Sequence, residues 1–388
     1  MPKQIAFHGL DPLLFGDGRP FAIGGGAGQA SSLDMPFPST VAGALRTLLG
    51  NRRAWEFNEA NALALMKIAV RGPLLMRDEE FLFRAPADAA MRQLKESDKR
   101  GIYRVRPQNS ADGGTNLPDG LTLPLEPYGD QFEEKKSPEL RWLSESDMER
   151  WLSVDADLPE HYAAENDEGR HKPSQPPRDR RAHVGIAFGS QAAGNKLLYQ
   201  TEGIALGRVF YESEGGFKGG PKFSMVAEID VEDDLSSGVI ALGGERRLSL
   251  FGPATKELGC PDSVREALGR AEGVRMVLAT PAVFAEGWKP GWAKDGSVPG
   301  CKSIKLRLVS ACVPRRQAVS GWDLLRSRVK PVRWLSPAGS TYFFVKESGC
   351  LTELADCWLR PVSDLDQDRS DGFGLALWGV WNPSETRS

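Results

Sequence analysis

The side chains that could act as a general base near neutral pH are four histidines, and three of them lie in a polar stretch rich in proline and charge. These three are His161, His171 and His183. No strand or helix pattern surrounds them, so we do not expect them to hold a catalytic geometry. His8 ends a predicted strand and could be the general base of an RNA cleavage reaction, with a lysine or with Tyr199 or Tyr211 as its helper. A histidine that only packs or hydrogen-bonds is the simpler interpretation.

Other catalytic patterns are incomplete. The five cysteines have no zinc-ligand spacing, and the glycines at 24–28 lack the Lys-Ser/Thr of a phosphate-binding P-loop. Asp233-Asp234 follows an alternating strand without the turn glycines of a polymerase palm, which favours a solvated loop. The sequence therefore predicts a protein that is not an enzyme, with no cofactor and no metal.

Basic side chains are spaced between tryptophans over residues 315–333, where six cations stand against one acid, Asp323. Trp322 and Trp334 accompany these cations, which are Arg315, Arg316, Arg326, Arg328, Lys330 and Arg333. Cations bind phosphates and aromatic rings stack on unpaired bases, so the composition predicts a site for single-stranded RNA. A salt-bridged surface with the tryptophans in the core is the alternative.

Glycine-containing segments suggest further RNA contacts. GGERR places Arg246 and Arg247 after a glycine pair, which suits a backbone nest for phosphate. GGFKGGPKF predicts the tip of a hairpin that carries Lys218 and Lys222, either as a clamp on RNA or as a plain loop. Near the carboxyl terminus the residues are Gly372, Phe373 and Gly374. Because glycine lets the main chain approach a ligand closely, we expect backbone N–H groups there to contact phosphate.

Strand and helix patterns mix without the regular alternation of a parallel sheet, which predicts an α+β fold. Residues 3–10 alternate as a first strand, and a helix is predicted to begin near Pro38. Arg46 lies off the apolar stripe of that helix, so we expect it to face solvent or a phosphate. The predicted domains are residues 1–195 and 196–388, with an acidic, flexible insertion over about 107–183 that contains one or two short helices around 145–152.

Composition is that of a soluble globular protein, with 40% hydrophobic and 26% charged residues and a net charge of −3. Residues 130–168 hold thirteen acids and four bases, so this stretch carries −9 and the remainder +6. A basic surface is therefore available outside the insertion. The sequence contains neither a signal-peptide pattern nor a long apolar run, and its five cysteines form no close pair. We expect reduced thiols, a cytoplasmic location and no membrane partner.

Five ordered motifs resemble a known family. They are LDPLLFGDGRPF, FPSTVAGALRTLL, LGGERR, SPAGSTYFF and GFGLALWGVW, and they run from residue 10 to residue 381. In this order they look like the third subunit of the Cmr complex, the type III-B CRISPR–Cas effector, within the RAMP superfamily. The family's opening motif is expected to have a basic residue at the position of Gly16, and this chain lacks it. The cation of the motif at Arg19 is retained.

The resemblance implies tandem ferredoxin-like (RRM-like) modules with hairpin insertions and a glycine-rich loop near the carboxyl terminus. It implies a subunit that is not a nuclease, that holds the 5′ handle of the CRISPR RNA, and that adjoins the large polymerase-like subunit and a backbone RAMP subunit. The leading hypothesis is therefore handle anchoring in antiviral defence. The alternatives are a processing endoribonuclease that uses His8, and a purely structural subunit whose Trp358, Trp378 and Trp381 contact protein.

Overall fold

The computed structural model describes residues 2–16, 28–93, 100–108, 117–118, 120–127, 140–156, 175–186, 189, 191–213, 216–254, 256–301, 303–323 and 326–383. The fold is mixed α+β with more strand than helix, which confirms the predicted class at that level. No helix among these residues has the length and apolar character needed to cross a membrane.

The strands are β1 (Lys3–Gly9), β2 (Gly28–Ser31), β3 (Val70–Arg77), β4 (Glu80–Arg84), β5 (Ala89–Gln93), β6 (Arg100–Pro107), β7 (Leu125–Pro127), β8 (Trp142–Ser144), β9 (Arg178–Ile186), β10 (Ala193–Ile204), β11 (Gly207–Ser213), β12 (Gly216–Ile229), β13 (Gly238–Ala241), β14 (Leu248–Pro253), β15 (Gly273–Leu278), β16 (Lys305–Cys312), β17 (Gln317–Val319), β18 (Trp322–Asp323), β19 (Arg328–Val329), β20 (Arg333–Leu335), β21 (Thr341–Ser348), β22 (Arg360–Pro361) and β23 (Leu375–Trp381). The helices are α1 (Pro38–Arg52), α2 (Glu59–Met66), α3 (Glu145–Ser153), α4 (Asp262–Arg270), α5 (Glu353–Asp356) and α6 (Asp366–Ser370).

The chain forms two compact units, and each unit draws on three separate segments. The first unit comprises Met1–Glu79, Lys172–Thr255 and Ala318–Arg333. The second comprises Glu80–His171, Lys256–Gln317 and Trp334–Ser388. This division differs from the consecutive modules 1–195 and 196–388 predicted from the sequence, because both halves of the chain contribute to both units.

An antiparallel sheet in the order β13-β14-β1-β12-β3 organises the first unit. Period-two alternation places Ile5 and Phe7 on its inner face, as predicted, and both are buried. Helix α1 begins at Pro38 as predicted, packs against β3 and β13, and buries the stripe that contains Val41, Leu45 and Leu49. These residues form the apolar core of the unit.

Two further groups of strands complete the first unit. Strand β10 lies between β2 and β9 in a three-stranded sheet. Strands β11 and β12 form a hairpin in which Ser213 pairs with Gly216. Lys218 and Lys222 therefore belong to strand β12 rather than to the predicted tip.

The second unit is built on an antiparallel sheet in the order β16-β21-β15-β23-β22, against which α3 and α4 pack. Helix α3 lies inside the stretch predicted to be a flexible insertion, and a helix was expected there around residues 145–152. Its Met148, Trp151 and Leu152 are buried. This part of the insertion is thus core rather than a solvent-exposed loop. Residues 157–174, which also belong to the predicted insertion, lie outside the described residues.

Gly379 is required by the close packing of α3 on β23. A Cβ atom at this position would lie 2.7 Å from the Cα and side chain of Leu152. We expect Gly379→Ala to lower the free energy of unfolding by about 1–3 kcal/mol, because either the helix or the strand must shift. Urea denaturation measures the change. Gly43→Ala in α1 is the matched control, since nothing lies within 4 Å of its Cβ position and the helix gains propensity. Equal stabilities of the two variants would contradict this account.

One pair of cysteines differs from the expectation that all thiols are reduced. Cys301 and Cys357 form a disulfide with their Cα atoms 6.7 Å apart, so the prediction of reduced thiols is wrong for these two. The sequence could not reveal the pair because 56 residues separate the two cysteines. Cys260, Cys312 and Cys350 are free thiols. Burial raises the pKa of Cys312 to about 12, which makes it inert.

Candidate nucleic-acid interface

A short hairpin in the first unit carries the cations and the tryptophan that the sequence singles out. Strands β18 and β19 pair Trp322 with Val329 and Asp323 with Arg328. The Lys330 backbone N–H donates to the Gly321 carbonyl at 2.8 Å, and the Ser320 hydroxyl donates to the Lys330 carbonyl at 2.9 Å. We call residues 320–330 the tryptophan hairpin. Its residues 324 and 325 lie outside the described part of the chain.

The side chains of the tryptophan hairpin face solvent. Trp322 is 55% exposed and Val329 is 65% exposed, so the ring is not part of a core. Arg328 and Lys330 are exposed as well. These two cations flank Val329, the residue that pairs with Trp322 across the hairpin. A large aromatic ring held in water costs free energy unless a ligand covers it. The arrangement suits a base stacked on Trp322 and phosphates at the cations.

One cation of the hairpin has a structural role. The Arg326 guanidinium contacts the Asp323 carboxylate at 3.2 Å and the Glu59 carboxylate at 3.7 Å. The backbone N–H of Arg326 also donates to Asp323, and this hydrogen bond is the main cause that lowers the pKa of Asp323. Arg326 is thereby engaged by two carboxylates, and Arg328 and Lys330 are better placed to meet phosphates.

The GGERR segment forms a strained turn, which we call the arginine loop (residues 243–247). Glu245 and Arg246 have φ angles of 55° and 52°, in the left-handed region that disfavours side chains by roughly 1–2 kcal/mol per residue. The Gly244 N–H donates to the Leu14 carbonyl at 2.7 Å, so the loop is held against the opening motif. Strain of this kind concentrates at functional sites. Here it presents Arg246 to solvent.

The arginine loop borders one face of the β9–β10 pair. A small cleft there is lined by Pro12, Leu14, Asp179, Arg181, Thr201, Gly203 and Arg247. On the same face His183 stacks on Tyr199, with ring centroids 4.9 Å apart, and its Nε2 hydrogen-bonds the Thr201 hydroxyl at 2.8 Å. Arg181 pairs with Asp179 at 2.8 Å, and Arg247 with Glu245 at 2.7 Å. The face therefore combines stacked rings with arginines, and nearby carboxylates partly neutralise the charges of these arginines.

Arg46 contradicts its predicted exposure. The side chain is only 7% exposed, and its Nε and Nη2 donate to the Ile68 carbonyl at 3.2 and 2.8 Å. The carbonyl is an acceptor just beyond the carboxyl end of α2, and Arg46 satisfies it. The expectation that Arg46 points to solvent or to a phosphate is wrong, and this residue holds α1 to the end of α2 instead.

The glycine turn near the carboxyl terminus is buried in the second unit. Gly372, Phe373 and Gly374 donate their backbone N–H groups to the carbonyls of Arg369, Asp368 and Pro281, at 2.8–3.1 Å. Both glycines have positive φ angles, a conformation that favours glycine. The expected free N–H groups for phosphate are not present, because the protein uses them internally. Trp358, Trp378 and Trp381 are likewise core residues, and they are not the surface that the structural hypothesis needs.

The remaining predicted residues lie in several parts of the chain, and not all of them are among the described residues. Arg19 lies in residues 17–27, outside the described chain, and the side chain of Lys218 is outside it as well. Lys222 is exposed, and its backbone N–H donates to the Asp78 carboxylate at 2.9 Å. Arg316 belongs to the second unit, where its guanidinium stacks on Trp334 at 4.0 Å from the ring centroid. The basic stretch 315–333 is thus divided between the two units.

His8 lies on the outer face of β1 and is half-buried. Burial, and then the positive charge of Lys222, lower the pKa of its imidazole, so the neutral form is favoured. A neutral imidazole is the form that a general base requires. Tyr199, one of the residues suggested to assist His8, stacks on His183 instead. The side chain of Tyr211, the other suggested residue, is not among the described side chains. Among the described residues, no group of three potential metal ligands occurs.

Sequence reasoning missed the β9–β10 face, because His183 seemed to lie in an unstructured polar insertion. The alternation in RDRRAHVGI could have revealed it, since Asp179, Arg181 and His183 occupy every second position. That spacing places the three side chains on one face of a strand.

Comparison with known proteins gives one family and a set of structures. The family described as CRISPR-associated protein (Cas_Cmr3) matches residues 5–381, nearly the whole chain. A cryo-EM structure of a Type III-B Cmr-beta bound to cognate target RNA and AMPPnP has a similar chain, with 15% identity, a TM-score of 0.49, and coverage of 97% of this chain and 96% of that one. A second, bound to cognate target RNA, gives 14% identity, a TM-score of 0.48 and the same coverage. No curated protein matches.

Proposed function

Since the chain belongs to the Cas_Cmr3 family of CRISPR-associated proteins and is a subunit of the type III-B effector, we propose that its first unit binds the 5′ handle of the CRISPR RNA without cleaving it. The handle is the constant end of a single-stranded guide. A protein that holds it needs cations for the backbone and planar groups for splayed bases.

The observation that carries the proposal is the exposed Trp322, which pairs with Val329 across a hairpin that also carries the exposed Arg328 and Lys330. Stacking of one base on an exposed ring contributes about 1–3 kcal/mol and tolerates any base. The cations on the same hairpin would meet the flanking phosphates. Before RNA arrives, the Arg326–Asp323 contacts already connect the end of strand β18 to the turn that precedes β19, which limits the conformational entropy lost on binding.

The arginine loop is the second proposed contact. Arg246 is exposed, and Arg247 and Arg181 line the neighbouring cleft. Arginine forms paired, charge-assisted hydrogen bonds with phosphate oxygens, and phosphate would compete with Glu245 and Asp179 for these guanidinium groups. Phosphate contacts fix the register of an RNA, while bases give its identity.

Strand order supports tandem ferredoxin-like modules of the RAMP type. In each unit four antiparallel strands lie in the order fourth, first, third, second: β14-β1-β12-β3 and β23-β15-β21-β16. A β-α-β-β-α-β unit has this order. We include in the proposal the two protein partners that the family resemblance implies, the large polymerase-like subunit and an adjacent backbone RAMP subunit.

The test is the salt dependence of binding to a fluorescent handle RNA, measured by anisotropy. The double variant Arg328→Ala/Lys330→Ala removes two proposed phosphate contacts. It should reduce the magnitude of the slope of log K against log salt by about 1.4, because each contact to single-stranded RNA contributes about 0.7. Arg265→Ala/Arg270→Ala removes two exposed charges from α4 and is the matched control. An unchanged slope in the hairpin variant would remove these two cations from the proposal. Specific cleavage of the RNA, abolished by His8→Ala, would favour the endoribonuclease alternative instead.

A further inference from the structure

Helix α2 in the first unit is apolar but not buried. Six of its eight residues, EANALALM, are alanine, leucine or methionine, yet Leu65 alone among them is buried. A helix that is hydrophobic around its circumference normally lies inside a protein. Its position on the surface of this unit needs an explanation.

The exposed apolar side chains of α2 continue into the loop that precedes it. Phe57 is 57% exposed, Leu63 50%, Met66 39% and Trp55 37%. We call these four residues the α2 patch. Single exposed apolar residues are ordinary, whereas a cluster of aromatic, leucine and methionine side chains marks an interaction surface.

The aromatic end of the α2 patch is fixed in place. The Arg53 guanidinium covers one face of Trp55, 4.9 Å from the ring centroid. Two hydrogen bonds from Arg53 to the Asp233 carboxylate, of 2.8 and 2.5 Å, hold that guanidinium. The Arg53 contact lowers the pKa of Asp233, so the carboxylate stays ionised and the pair persists near neutral pH. Trp55 is therefore presented in one orientation.

The loop around Phe57 is fixed as well. The Asn58 side chain caps α2 by accepting from the Asn61 N–H at 3.0 Å. The Asn61 amide in turn donates to the Glu56 carbonyl at 2.8 Å. Exposed aromatic residues that are rigid before binding are typical of the residues that dominate interface energies, because little conformational entropy is lost when they are covered.

Charge decides the class of partner. The loop and first turn of α2 carry Glu56 and Glu59, both exposed, and Glu59 already faces Arg326 of the tryptophan hairpin at 3.7 Å. The Glu56 carboxylate repels phosphates, and the aliphatic Leu63 and Met66 offer no ring on which a base could stack, so RNA fits this patch poorly. A protein surface with aliphatic side chains and a lysine or arginine opposite Glu56 fits it better.

We propose that the α2 patch is the docking surface for a neighbouring protein subunit of the effector, whose contacting face is aliphatic and carries a basic residue opposite Glu56. The proposal rests on membership of the chain in the effector, and none of the four patch residues belongs to the proposed handle contacts. The patch residues are spread over 55–66, so one short segment of this chain supplies the contact.

The test is reconstitution of the effector from purified subunits and CRISPR RNA, with Leu63→Asp and Phe57→Asp in the full chain. Each variant should weaken incorporation of this subunit at least tenfold on size-exclusion chromatography, because a charge must be desolvated at the contact. Leu365→Asp, at a leucine that is 60% exposed in the second unit, is the control and should assemble normally. Both patch positions are exposed, so thermal melting of the isolated variants should match that of the parent chain. Hydrogen exchange of residues 55–66 should slow on assembly.

Three results would overturn the inference. The first is normal incorporation of both patch variants. The second is self-association of the isolated chain that the variants abolish while assembly stays intact, which would make a second copy the occupant. The third is loss of handle RNA affinity in the isolated variants, which would make the patch an RNA surface. Unchanged handle affinity with lost assembly supports docking and leaves the handle proposal unaffected.

Discussion

Replacing Asp88 with alanine should destabilise the second unit by about 3–5 kcal/mol, because it leaves a buried arginine without its counter-charge. Asp88 and Arg275 are both fully buried, with the guanidinium Nε 3.2 Å from the carboxylate Oδ2. The Thr341 hydroxyl also donates to Asp88 at 3.1 Å. Burial raises the pKa of Asp88 and lowers the pKa of Arg275, so each charge depends on the other.

A double replacement separates the pair from its surroundings. Asp88→Leu/Arg275→Met removes both charges and keeps apolar volume, so we expect it to be markedly more stable than Asp88→Ala. Chemical denaturation of the three proteins gives the comparison. A loss below about 1 kcal/mol in Asp88→Ala would mean that other groups, such as Asp155 at 3.5 Å from Arg275, suffice to hold the arginine.

Removing the exposed ring of the tryptophan hairpin is the second change with a large expected effect. Trp322→Ala should weaken handle RNA binding by about 5- to 150-fold, which corresponds to the 1–3 kcal/mol of one stacked base. The slope of log K against log salt should not change, because no charge is removed. Trp322→Phe should recover much of the affinity. Fluorescence anisotropy with the same RNA measures each variant.

Trp334→Ala is the matched control, since this tryptophan is 47% exposed but lies in the second unit under the Arg316 guanidinium. We expect its affinity to equal that of the parent chain. An equal loss in both variants would show that the effect of Trp322 is not specific to the hairpin.

The sequence predicted the elements whose periodicity is set by local packing. Strand β1 and helix α1 were confirmed because one face of each contacts a core, which imposes periods of two and of 3.6 residues. The division into units was not predictable in this way, because it depends on which distant segments meet. Arg275 shows the same limit: it lies buried in strand β15, and its burial is explained only by Asp88, far away in the sequence.

The candidate site was predicted in part. The basic and aromatic composition of residues 315–333 led to the tryptophan hairpin, and GGERR led to the arginine loop. Arg46 was misplaced because a helical stripe shows which residues face the core but not which carbonyls need a donor. The Gly372–Gly374 turn was misinterpreted for a related reason. Glycine reports an unusual backbone, and only the structure shows that Arg369, Asp368 and Pro281 already accept its N–H groups.

Photocrosslinking within the assembled effector tests the central claim most directly. A CRISPR RNA with 4-thiouridine in its 5′ handle would be incorporated, irradiated and digested, and the adducts would be mapped to peptides by mass spectrometry. Our account predicts adducts in the peptide that contains Trp322 or in the one that contains Arg246 and Arg247. Handle adducts confined to the other subunits, with none on this chain, would contradict it.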